Sequence, residues 1–184
     1  MEWTIPGTVL RSPMEDAGFI EAQFNSMFLG GGMVLSQVAG ITGLEPYMVQ
    51  NWVKRGFLPP PDRKKYSLEQ LCRIININML KNVLSMDRIC SLLSYINGHL
   101  DDESDDIIDD SRLYFMFVRL AARYHGMQDV TDRDELIAME LADYVEPVPG
   151  AKARIQKVLC IMLTAWASAQ LMQATEKMMG ELGL

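Results

Sequence analysis

Histidine is almost missing from this chain: its two residues, His99 and His125, stand far apart. Neither has a cysteine or a second histidine at ligand spacing, so no metal site is expected. Cysteine is also scarce. Cys72, Cys90 and Cys160 are widely separated and lie in apolar helical patterns, which leaves no CxxC metal site and no disulfide framework. They read as buried thiols of a reducing compartment. A phosphate loop is absent too, because Gly30-Gly31-Gly32 leads into Met33-Val-Leu-Ser-Gln without the Lys-Ser/Thr that phosphate binding requires. With no nucleophilic triad and no acid-base pair in view, the sequence offers no catalytic residue, implies no cofactor and does not read as an enzyme. No apolar run suited to a signal peptide opens the chain. The 18 uncharged residues from Val158 to Thr175 include Thr164, Ser168, Gln170, Gln173 and Thr175, so a membrane span is not expected. Together these absences point to a cytoplasmic protein.

Helical spacing is abundant, and no alternating strand pattern competes with it. The 184 residues, 49% hydrophobic and 22% charged, suffice for one good core or two small ones. The expected fold class is all-α. A first helix should start at Ser12, with Pro13 at its first position and Glu15 closing an S-x-x-E capping box. Gly30–Gly32 then reads as a flexible hinge. A short helix over 36–41, the turn Thr42-Gly43-Leu44 and a helix over 46–55 stopped by Gly56 follow. Ser67-x-x-Gln70 should cap a strongly apolar helix ending near Leu84, and Ser85 the next, ended by Asn97-Gly98. Asp101 to Asp110 holds seven acids in ten residues and marks a boundary. Helices from Ser111 to about His125, over about 132–144 and from the Val145–Gly150 loop to about Glu181 complete the chain. The expected division is 1–32 as N-terminal helix and hinge, 33–98 as a small basic domain, and 99–184 as an acidic linker and helical dimerisation or regulatory domain.

Charge supports this division. The net charge of −7 should repel a polyanion, but Met33–Ile96 carries 8 Lys+Arg against 4 Asp+Glu, whereas the remainder carries 9 against 20. Positive charge is therefore concentrated in one region. At 100° per residue, Val49, Trp52 and Val53 share one side of the 46–55 helix, opposite Tyr47, Gln50, Asn51 and Lys54. Asn and Gln can pair with adenine in the major groove, and Lys can reach guanine or a phosphate. A short helix and a Gly-containing turn precede this helix, which is helix-turn-helix spacing. After it, three prolines stop the helix and Arg63, Lys64 and Lys65 form a basic wing over 62–66.

With these features in order, "VLSQVAGITGLEPYMVQNWVKRGFLPPP", "KKYSLEQLCRIININMLKN" and "LSMDRICSLL" resemble the winged helix-turn-helix domain of MerR-type transcription regulators over roughly Val34–Ile96. The resemblance implies DNA reading by Tyr47, Gln50, Asn51 and Lys54, with Arg55, Arg63, Lys64, Lys65 and Tyr66 holding phosphates. Where that family usually carries paired tyrosines this chain has Gln50-Asn51-Trp52, and its wing is short, so no base preference carries over. With "NGHLDDESDDIIDDSRLYF", the chain is also similar to a bacterial family known only as a domain of unknown function and described as regulators.

The implied partner is double-stranded DNA. A two-fold dimer would read half-sites roughly 34 Å apart. The same basic face could instead dock an acidic protein, which leaves a protein-interaction module as the alternative. The final helix carries Ile155, Leu159, Met162, Trp166 and Ala169 on one stripe, with Ile161, Leu163 and Leu171 outside it. So broad an apolar surface calls for burial, for a second copy through the C-terminal helices, or for a small-molecule or protein effector. The acidic run is no calcium loop, since its twelfth residue is Arg112 and not a bidentate carboxylate; it reads as a solvated linker placing negative charge near a helix N-terminus.

Overall fold

A computed structural model describes residues 2–98, 106–125 and 133–183. Helix dominates, as the all-α expectation requires, with eight α-helices and four very short strands among these residues. The strands are what the periodicity missed. β1 (Glu2–Thr4) pairs antiparallel with β2 (Arg11–Pro13), Trp3 opposite Ser12. Pro6-Gly7 makes the bend between them: Thr8 N donates to Ile5 O at 3.1 Å and Gly7 has φ +74°, the pattern of a type II turn.

The helix expected from Ser12 is therefore corrected. Ser12 is a strand residue whose hydroxyl donates to Pro13 O, Pro13 makes no side-chain cap, and the chain continues as a 3₁₀ turn over Met14–Phe19 before α1 (Ile20–Met27). Pairing with β1 takes precedence over the local capping signal. Of the three glycines expected to form a hinge, Gly32 is closely packed: a Cβ there would stand 2.7 Å from Tyr66 O, an approach that only glycine permits.

β3 (Met33–Val34) pairs with β4 (Lys65–Tyr66) and leads into α2 (Leu35–Thr42) and α3 (Pro46–Lys54). The Ser67/Gln70 capping box opens α4 (Leu68–Leu80), with Gln70 N donating to Ser67 Oγ at 3.1 Å and Ser67 N to Gln70 Oε1 at 2.9 Å. α4 ends a turn earlier than expected. α5 (Met86–Asn97) starts at Ser85, whose side chain makes no capping bond. α6 (Asp110–His125) is capped by Asp109, which accepts from Arg112 N at 2.8 Å, so the acidic run does supply this helix terminus. α7 (Arg133–Glu140) and α8 (Ala151–Glu181) follow. His99, Asp101–Asp105 and the His125 side chain lie outside the described residues.

α4 is the axis of the molecule. Nine of its 13 residues are buried, because α2, α5, α6 and α8 all pack against it. Apolar surface removed from water on every side is the main stabilising contribution. An aromatic group of Phe24, Tyr114 and Phe115, with ring centroids 5.3–6.0 Å apart, joins α1 to α6, and Tyr114 Oη donates to Pro6 O at 3.0 Å. One continuous core runs from Trp3 to Trp166, so the front and back halves share it across the expected boundary at 98/99. α8 is long and apolar enough, by length and composition, to cross a membrane. Its first five turns supply Ile155, Val158, Leu159, Met162 and Trp166 to the core, and 33% of its most apolar stretch is buried.

Candidate nucleic-acid interface

Thr42 and Gly43 set the geometry of the turn before α3. Thr42 Oγ1 donates to Val38 O at 2.8 Å and accepts from Leu44 N at 3.3 Å, while Gly43 N donates to Ala39 O at 2.8 Å. Pro46 then starts α3, where a missing N–H costs nothing. Val49 and Trp52 are buried, and Tyr47, Gln50, Asn51 and Lys54 are exposed, Tyr47 at 67%. The helix thus has one packing face and one free face carrying four hydrogen-bonding side chains.

Gly56 N bonds Val53 O at 3.1 Å and Phe57 N bonds Trp52 O at 2.9 Å, a Schellman-type closure. Arg55 lies with its guanidinium 4.6 Å from the Phe57 ring centroid, exposed but oriented by that contact. The proline run is fixed from α4, since Gln70 Nε2 donates to Pro60 O at 3.0 Å and Pro59 O at 3.4 Å. These bonds deliver the chain to the wing.

The wing tip is a tight turn. Lys65 N donates to Asp62 O at 2.8 Å, and both central residues have positive φ, Arg63 at 45° and Lys64 at 65°. That is type I′ geometry, which favours Asn-Gly. L-residues with side chains resist it by roughly 1–2 kcal/mol each. Arg63, Lys64 and Lys65 are all exposed. α2 touches α3, β3 and β4 alike, so a single element supports both the helix and the wing.

Tyr66 does not join this set. Its residue is only 3% exposed and belongs to the core, and burial raises its phenol above the ordinary 10.0. The sequence expectation of a phosphate contact there is corrected, because alternation along β4 turns Tyr66 inward and Lys65 outward.

Behind the helix exit lies a group that sequence reasoning missed. Arg73 Nε donates to Phe57 O at 3.1 Å, and its Nη1 makes a 3.0 Å ion pair with Asp110 Oδ2; each side chain is 7% exposed. Asn76 and Asn97 flank the carboxylate. Burial raises the Asp110 carboxyl above its ordinary 3.8, against the pull of Arg73. A charged residue inside the apolar run Leu71–Ile77 was the available signal, since a buried charge requires a partner.

Residues 32–117 match the family model described as "Domain of unknown function (DUF1836)". This stretch begins at the close-packed Gly32 and ends within α6, so it holds the turn, α3, the wing and both members of the Arg73–Asp110 pair. The chain is also similar to the uncharacterized protein YkrK of Bacillus subtilis (strain 168), 28% identical over 113 residues, which cover 59% of this chain and 48% of that protein. The match thus spans about half the length of this curated relative. No solved structure matches the chain.

Proposed function

We propose that this protein is a dimeric DNA-binding transcriptional regulator of the cytoplasm. Its front part is a MerR-like winged helix-turn-helix unit, with α3 in the major groove and the wing on the phosphate backbone. The observation that carries the reading is the wing tip. Two cations occupy backbone positions suited to Asn-Gly, beside a helix whose free face is Tyr47, Gln50, Asn51 and Lys54. Strain of this kind recurs where a side chain is needed for function. Lys54, Arg55, Arg63, Lys64 and Lys65 supply the positive charge, while Gln50 and Asn51 supply paired donor and acceptor groups for base edges.

The test is fragment selection from random duplexes followed by single substitutions. Gln50→Ala or Asn51→Ala should cost about 1–3 kcal/mol on the selected sequence and little on others. Equal losses on all sequences would remove these two residues from base reading. A pull-down repeated with nuclease separates DNA from an acidic protein partner, and a partner retained after digestion would count against DNA.

The far end of α8 supports the dimer. Residues 170–183 are exposed throughout, with Leu171 at 72% and Leu182 at 75%, and Met172, Met178 and Met179 are also exposed. The helical part, 12 residues from Gln170 to Glu181, gives roughly 18 Å of helix outside the core at 1.5 Å each, and so much apolar surface is costly in water. A second copy of the same helix would cover it. Leu171→Lys with Met178→Lys should shift sedimentation from dimer to monomer without lowering helicity. A native chain that sediments as a monomer at high concentration would contradict the dimer.

A further inference from the structure

A cleft of about 520 Å³ opens between the β1–β2 hairpin, the end of α4 and the middle of α8, and no residue of α3 or of the 62–66 turn lines it. Its size falls within the range of small-molecule sites. Lys81, Asn82, Gln170 and Gln173 line it together with Trp3 and Trp166. Lys81 is half-buried and has no ion pair among the described residues. Trp3 is 8% exposed, and its indole nitrogen is shut off from solvent, so it contributes apolar wall.

We infer that this cleft binds a small hydroxylated organic anion, with Lys81 holding its carboxylate or phosphate and the amides of Asn82, Gln170 and Gln173 meeting its hydroxyls. The lining selects this class. Carboxamides offer a donor and an acceptor side by side, which suits hydroxyl groups. A flat aromatic ligand gains little here, because Trp3 and Trp166, at 8% and 6% exposed, offer little ring surface for stacking. Burial already presses the Lys81 ammonium below its ordinary 10.5, a cost that a bound anion offsets. Glu2, at the rim, is the one acid of the lining and disfavours an anion carrying more charge than Lys81 can neutralise.

The cleft is tied to the turn before α3. Asn78, in its wall, donates through Nδ2 to Gly7 O and Thr42 O, both at 2.9 Å. From the same hairpin, Val9 N donates to Ile41 O at 2.9 Å. A ligand that tightens the hairpin against α4 therefore acts on the end of α2 and, through it, on α3. This transmission rests on the DNA-binding reading; the binding site does not.

Calorimetric titration of the full chain with glucuronate, glucose 6-phosphate and neutral glucose tests the site. At least one of the two anions should bind, with glucose weaker by about tenfold or more. Lys81→Met should weaken the anion by about tenfold, or about 1.4 kcal/mol, and Lys177→Met, on the exposed end of α8, should leave it unchanged. Gln173→Ala removes one amide from the exposed side of α8, and should weaken binding severalfold even if Lys81→Met fails to fold. Binding of neither anion up to about 10 mM, equal binding of glucose, or full affinity in both Lys81→Met and Gln173→Ala would overturn the proposal. DNA affinity measured with and without the anion isolates the transmission. An anion that binds without changing it leaves the site standing and removes the link to α3, whereas absence of any DNA binding counts against the regulator and not against the site.

Discussion

Asp110→Ala is expected to remove about 3–5 kcal/mol of stability, because it leaves the Arg73 guanidinium buried without its carboxylate. Urea unfolding should show a lower midpoint with an unchanged slope. Removing both charges should behave differently: Arg73→Met with Asp110→Leu takes away the unpaired ion as well as the pair, and should lie near the native stability. The pH dependence gives the sign. Because burial raises the folded Asp110 carboxyl above 3.8, its contribution is complete below that value and is lost as pH rises through the folded pKa. The double variant should therefore gain stability relative to the native chain as pH rises from about 4 toward 7. A native chain that gains more than the double variant over that range would show that the pair, and not its burial, dominates.

Arg63→Asn with Lys64→Gly should change stability and binding in opposite directions. Asn-Gly fits the positive-φ turn, so relief of strain should raise stability by about 1 kcal/mol. The same change removes two cations, and affinity should fall on every DNA sequence alike. The salt slope should drop by about 0.9 for each phosphate that the variant no longer neutralises. Thermal unfolding and DNA titration over a salt series check the two halves separately. A more stable fold with undiminished affinity would remove the wing from the interface, and the acidic-partner reading would then take precedence.

Helix positions were legible where local rules act alone. Val49, Trp52 and Val53 gave the packing side of α3, Gly56 its stop, and Ser67 with Gln70 the start of α4. Of the residues expected on the DNA side, all but Tyr66 are exposed; its side was set by pairing between β3 and β4, which two residues of each strand do not advertise. The N-terminal hairpin was hidden for the same reason. Three-residue strands carry too little alternation, and Ser12-Pro13-x-Glu15 is a good helix start on local grounds alone. Arg73 and Asp110 lie 37 positions apart, and nothing local links them. The shared core likewise could not be read from the acidic run, whose composition suggests a boundary although Ile107 and Ile108 within it are buried.

Affinity for random duplex DNA, measured with the native chain across a salt series, tests the central claim most directly. The account predicts binding at low salt that falls linearly on a log–log plot between about 50 and 200 mM salt, with the slope reduced in the Arg63→Asn/Lys64→Gly variant. No binding at low salt, or an affinity indifferent to salt, would contradict it.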